Sequence, residues 1–409
     1  MKNRNRTTVI VVGCVVLVGA GAVLAQDWPQ WRGPNRDGKV AGFTAPQKWP
    51  EALAQKWKVT VGGGDGTPAL VGDRLYVLTR QDANEVILCL NAADGKEIWR
   101  NGYAVQAFSG PDSRDHSGPR SSPAVADGKV CTLGVTGIVS CVDAASGKLL
   151  WRKDDFPGSW PRFHAASSPI IVDGMCVVQL GGPSGGGIVA YALATGDAKW
   201  KWTDDGAAYA SPVLMTVEGT KQIVALTDKL VVGVAAADGK LLWQIPFPTT
   251  GMAYNAATPI IDGQTVIFTG QGRGTKAVKV EKQGDAFKVS DLWSNPDLAP
   301  QFNTPVLKGG FLYGLSGKGS LFCINAKTGQ TAWTDMTSRG NFGAMVDAGS
   351  VLMLLPQKSQ LTVFQPSDKA YTEVASLTVA ARQTYAQPIV AGKRIFIRDQ
   401  DSVTLFTID

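Results

Sequence analysis

The sequence is poor in charge and poorer still in the residues that usually build catalytic or metal centres. Charged residues make up 18% of the 409, and the only histidines are His116 and His164. No Cys-x-x-Cys occurs, which removes zinc-ribbon and c-type haem signatures. Past residue 25 the cysteines are Cys89, Cys131, Cys141, Cys176 and Cys323, an odd number that excludes a complete disulfide framework. Cys131 and Cys141 flank a short turn and read equally as a hairpin disulfide or as two buried thiols. Outside the first 25 residues no stretch holds a helical spacing of apolar positions. Without Lys2, Arg4 and Arg6, 37 basic residues face 34 acidic ones, too even a balance for nucleic acid to be the main partner.

Turn formers and tryptophan are abundant. Gly (47) and Pro (22) together make about one residue in six, and there are 12 Trp. A hydrophobic share of 44% excludes a disordered, solvating chain. At the N-terminus three basic residues precede an apolar stretch from residue 9 to 25 that ends Val23-Leu24-Ala25, the pattern of a cleavable export signal. The alternative is an uncleaved anchor, which would give the chain its one membrane contact.

Two marks recur through the rest. Ser/Thr-Pro appears at Thr67-Pro68, Ser122-Pro123, Ser168-Pro169, Ser211-Pro212, Thr258-Pro259 and Thr304-Pro305, with Gln387-Pro388 a degenerate copy. The steps between the first six are 55, 46, 43, 47 and 46 residues. Downstream of each lies a glycine turn closed by tryptophan, as in A-D-G-K-E-I-W at Trp99 and A-S-G-K-L-L-W at Trp151. It recurs at Trp200, Trp243 and Trp333, with Trp293 ending a divergent copy. Within a unit, apolar runs of four to six residues are broken by Asp-Gly and Ser-Gly turns, so each unit reads as four short strands. Many such units predict an all-β fold, a β-propeller. The 384 residues after position 25 divide into eight blades of 48, with seven as the alternative count. Residues 53–59, with Trp57, belong to no unit and are expected to supply the missing outer strand of the last blade. The expected organisation is a signal over 1–25, an N-terminal segment over 26–52 and the propeller over 53–409.

These endings resemble the tryptophan-docking repeat of the quinoprotein, or PQQ-like, propeller family, in which each outer-strand Trp wedges against the next blade. The opening Asp27-Trp28-Pro29-Gln30-Trp31-Arg32-Gly33-Pro34 resembles that of exported proteins carrying the repeat. The resemblance implies one of two activities. One branch holds pyrroloquinoline quinone and calcium at the propeller centre and oxidises alcohols or sugars. The other resembles an outer-membrane assembly lipoprotein that binds proteins and no cofactor. The dehydrogenases typically place an adjacent Cys-Cys disulfide over the quinone, and this chain has none. Asp65, Asp115 and Asp155 lie on loops suited to a general base, but nothing singles one out. The favoured expectation is a non-catalytic, monomeric, exported scaffold of the periplasm or cell envelope, without cofactor or metal. The alternative is a quinone-dependent dehydrogenase.

Asp-Gly pairs such as Asp127-Gly128 and Asp238-Gly239 read as tight turns on one face of the disc, and Gly-rich pieces such as residues 62–66 and 270–274 as turns rather than phosphate loops, since no helix follows them. The opposite face receives longer loops rich in side-chain chemistry. Its candidate residues for an envelope protein or small ligand are His116, Arg120, Arg162, His164, Tyr209, Tyr254, Asn255, Phe302, Asn303, Arg339, Arg382 and Tyr385. Counting three back from proline gives Tyr209, Phe302 and Tyr385, which predicts an aromatic ring at the channel mouth.

Overall fold

The computed structural model describes residues 27–105, 116–183, 185–249 and 254–408; the expected export signal over 1–25 and the residues Arg114 and Asp115 lie outside them. Among the described residues, thirty-two strands pair into eight antiparallel four-stranded sheets, and no helix occurs. The second blade is representative, with strands Ala124–Ala126, Lys129–Leu133, Val139–Asp143 and Leu149–Lys153. Its first turn places Asp127 at φ 50° and Gly128 at φ 69°, the two left-handed centres that a tight hairpin needs. Blades 1 to 7 occupy residues 69–104, 124–153, 170–202, 213–246, 260–295, 306–335 and 343–378. The eighth contributes Ile389–Ala391, Arg394–Arg398 and Ser402–Thr407, and takes its outer strand, Ala54–Thr60, from the other end of the chain. The count is therefore eight, and the closing strand is the one expected from the sequence. Pairing the ends of the chain in one sheet leaves no open blade.

Middle strands are apolar along their full length because both faces of each blade pack on a neighbour. Asn84–Asn91 buries every residue but its ends, whereas the outer strand Glu97–Ala104 buries only Trp99 and Tyr103. Cys89, Cys141 and Cys323 sit in the same fully buried third-strand slot. Cys131 lies opposite Cys141 across the hairpin, and both are free thiols.

Both repeat marks turn out to be ties between blades. From blade 3 to blade 6, the Ser/Thr hydroxyl before proline accepts the backbone N–H of the matching residue one blade earlier: Ser122 to Ser168 at 3.0 Å, Ser168 to Ser211 at 2.9 Å, Ser211 to Thr258 at 3.2 Å and Thr258 to Thr304 at 3.0 Å. Gln387 N–H donates to Thr67 at 2.8 Å and continues this belt across the closure. The tryptophans form a second, outer set. The indole N–H of Trp57, Trp99, Trp151, Trp200 and Trp293 donates to the carbonyl of Ala92, Ala144, Leu193, Ala236 and Ala326 in the following blade. The ring then lies over the glycine of that blade's turn. At Gly239 a Cβ would come within 2.5 Å of the Trp200 ring, and φ is +72°, so both contact and conformation require glycine.

Candidate functional site

Residues 27–40 lie across the central channel. Trp28 exchanges backbone bonds with Leu70 of blade 1, and Val125 of blade 2 donates to the Pro29 carbonyl. Arg36 donates to the carbonyls of Ser168 and Pro169 in blade 3, and Arg32 to those of Thr304 and Pro305 in blade 6. Val40 and Asp347 tie the segment to blade 7. Burial lowers the pKa of Arg32 to about 10 and of Arg36 to about 9, so both remain cationic at neutral pH and are solvated by carbonyl oxygens in place of water. Trp31 donates its indole N–H to Thr258 at 3.2 Å and forms the floor of a cavity.

That cavity, about 460 Å³, opens on the long-loop face. Its plan follows the repeat. The residue three before proline lines it in every blade that has the proline: Asp65, Arg120, Ala166, Tyr209, Ala256, Phe302 and Tyr385. Blade 7 lacks the proline and contributes Phe342. Ser168, Ser211 and Thr258 of the hydroxyl belt line the cavity as well.

The rings form a continuous arc. Phe163 meets Tyr254 edge-on at 4.9 Å, Tyr254 stacks on Phe302 at 6.1 Å and Phe302 on Phe342 at 4.2 Å. Phe342 then meets Tyr385 edge-on at 5.1 Å, and Tyr385 meets His116 at 4.7 Å. Such pairs hold each other's orientation. Tyr209 packs 6.0 Å from Tyr254 and accepts the Phe163 N–H, and burial raises its phenol above the ordinary range. The circle closes through Arg120, which donates to the carbonyls of Phe163 and His116. His116 Nδ1 lies 2.7 Å from Asp65 Oδ2. Behind Asp65, Arg398 is fully buried, donates to the carbonyls of Gly66 and Leu78, and has its pKa lowered to about 10 by that burial.

Of the sequence candidates, His116, Arg120, Tyr209, Tyr254, Phe302 and Tyr385 come together on this cavity. The other six lie elsewhere. Asn255 and Asn303 are buried braces: the Asn255 amide donates to the carbonyls of Thr227, Asp228 and Phe247, and Asn303 exchanges bonds with Leu315. Arg339 pairs with Asp335 and covers the Tyr371 ring, while Arg382 pairs with Asp401. Arg162 lies over Phe163, and His164, at φ +67°, stacks on Trp160. Asp155 pairs with Lys201. Trp31, Phe163 and Phe342 line the cavity without having been singled out. The count from proline, carried through all seven copies rather than three, also finds Asp65, Arg120 and the two alanines.

A quinone with calcium does not fit this lining. Among the described residues its one carboxylate, Asp65, is already engaged by His116, and no group of three or more His, Cys, Asp or Glu suited to a metal ion occurs.

Comparison with known proteins agrees with this architecture. The chain is 23% identical over 400 residues to the outer membrane protein assembly factor BamB of Shewanella oneidensis, covering 93% of this chain and 86% of that protein. The BamB of Xanthomonas campestris pv. campestris is 28% identical over 234 residues, 54% of this chain and about half (55%) of that protein. The BamB structure from Moraxella catarrhalis superposes with a TM-score of 0.64 at 13% identity, covering 87% of this chain and 98% of that one. Quinohemoprotein alcohol dehydrogenase of Comamonas testosteroni shares the fold, with a TM-score of 0.70 at 14% identity over 95% of this chain and 81% of that one. In sequence it matches 192 residues at 27% identity, 45% of this chain and 27% of that protein. A family model described as outer membrane protein assembly factor BamB matches residues 36–117 and 83–335, and the chain belongs to that family.

Proposed function

We propose that this protein is an exported, non-catalytic scaffold of the cell envelope that serves outer-membrane protein assembly by binding envelope proteins at its long-loop face. The observation that carries this reading is the span of the match: the relationship to an assembly factor runs through nearly all of both chains, whereas the dehydrogenase relationship covers 27% of the enzyme. The quinone-dependent dehydrogenase is the second reading. The cavity lining speaks against it, as does the absence of adjacent cysteines.

The long-loop face offers Tyr and Arg side chains on a rigid frame, the residue types that dominate binding hot spots. The tight-turn face offers mainly Asp, Gly, Lys and Thr. Replacing Tyr209, Phe302 and Tyr385 together by alanine is expected to abolish capture of envelope partners in a pull-down, with the circular dichroism spectrum unchanged. Capture that survives this triple change but fails when the Asp-Gly turns are altered would put the binding surface on the opposite face.

A further inference from the structure

The rings at the long-loop face also enclose a cavity of about 460 Å³, within the size range of small-ligand sites. Its lining is specific in three ways. First, it carries a carboxylate–imidazole pair. Asp65 Oδ2 lies 2.7 Å from His116 Nδ1, and the two side chains set hydrogen-bonding groups side by side in the wall. The Asp65 carboxylate has lone-pair sites beyond that contact, able to accept from a ligand hydroxyl. Second, it carries donors. The Ser168 and Ser211 hydroxyls each accept a belt N–H and, among the described residues, pass their own protons to no acceptor. Third, its ring planes turn: interplanar angles along the arc from Phe163 to Tyr385 run 88°, 22°, 8° and 89°, so the rings do not all present one aspect to the interior.

Among the described residues, the lining balances one carboxylate, Asp65, against one guanidinium, Arg120. A ligand matched to it is neutral, both donates and accepts along its edges, and is apolar on its faces. A six-membered sugar ring has these properties: its hydroxyls both donate and accept around its edge, and its C–H faces carry the slight positive charge that aromatic faces attract. We propose that the central cavity binds a neutral saccharide, either a free sugar or the terminal unit of a glycan chain.

The test uses the purified full chain with no partner protein present, so its outcome is independent of the scaffold reading. Glucose, N-acetylglucosamine, maltose and cellobiose are titrated by calorimetry and by saturation-transfer NMR, with benzoate as an apolar anion and amylose and cellulose oligomers as chain-end probes. At least one neutral sugar is expected to bind saturably, with the strongest transfer to its ring C–H protons. Asp65→Asn and Phe302→Ala are each expected to weaken that binding about tenfold or more. Phe302→Leu, which keeps an apolar side chain but removes the ring, covers the case in which the alanine variant does not fold. Competition by the monosaccharide assigns the site to a free sugar, and binding of oligomers alone assigns it to a chain end. Failure of every neutral sugar, binding of benzoate in their place, or sugar binding indifferent to both Asp65 and Phe302 would overturn the proposal.

Discussion

Blade 4 has two different flanks. Toward blade 3 the seam is docked: Trp200 donates to the Ala236 carbonyl at 3.0 Å and its ring covers Gly239. Toward blade 5 the outer-strand Trp243 turns inward and bonds Gln222 of its own blade at 2.6 Å. Blade 5 cannot receive it, because the glycine turn that would do so is replaced by a long hairpin of Gly274–Gln283 and Ala286–Asn295. Phe287 and Val289 of that hairpin instead join Leu242 and Ile245 against the blade 4 core. The repeat tryptophan, which ends A-T-G-D-A-K-W at Trp200 and A-D-G-K-L-L-W at Trp243, does two jobs depending on its neighbour. A docking residue is half of a contact, and the other half lies in a separate repeat.

The largest expected effect comes from the seam whose halves lie furthest apart in sequence. Starting the chain at Gly62 removes Ala54–Thr60, Trp57 and the channel-crossing segment together. The expected outcome is loss of a single cooperative unfolding transition, because blade 8 loses its outer strand and opens. A truncated protein that melts like the intact one would mean that closure adds nothing. Next in size is the contrast across blade 4. Trp200→Ala is expected to cost about 3–5 kcal/mol, as a large buried ring is removed from a seam. Phe287→Ala with Val289→Ala is expected to cost less, on the order of 1–3 kcal/mol in total, because both are only half-buried. Denaturant unfolding measures both, and a reversed order would make the hairpin the stronger clamp.

The smallest effect concerns the seam between blades 1 and 2. Glu85 of blade 1 is fully buried, accepts the Tyr103 hydroxyl at 2.5 Å, and accepts the Val135 N–H of the next blade at 2.8 Å. Burial raises its pKa despite these bonds. The folded state thus favours the protonated acid, whose stabilisation is complete below the unfolded-state value and is lost as pH rises through the folded one. Glu85→Gln keeps the shape without the titration. Its melting temperature is therefore expected to match the parent in acid and to gain on it as pH rises. Parallel melting curves across that range would remove Glu85 as a charge burden on this seam.

Much of the fold was legible because its determinants are local. Asp-Gly and Ser-Gly turns, four-residue apolar runs and repeat spacing specify four-stranded units wherever they occur, and the orphan strand around Trp57 could be assigned because a ring of sheets must close. The candidate site was legible in part. Three aromatic residues at a fixed distance from proline marked the mouth, since the repeat holds that position against the channel in each blade. Asn255, Asn303, Arg339 and Arg382 belong to the same loops by sequence, yet bind carbonyls and carboxylates next to them.

By itself, then, the sequence determined the repeat, the four-stranded unit and the face that carries the longer loops, because backbone turns and strand periods are set by neighbours a few residues away. Only the tertiary structure decided which loop side chains meet. It paired Asp65 with His116, ran one arc of rings from Phe163 to Tyr385, and drew Trp28 to Val40 across the channel so that Arg32 and Arg36 find carbonyls on opposite blades. Each of those contacts joins residues from separate units. Their partners are fixed by the rotation of the ring, which no local pattern of residues encodes.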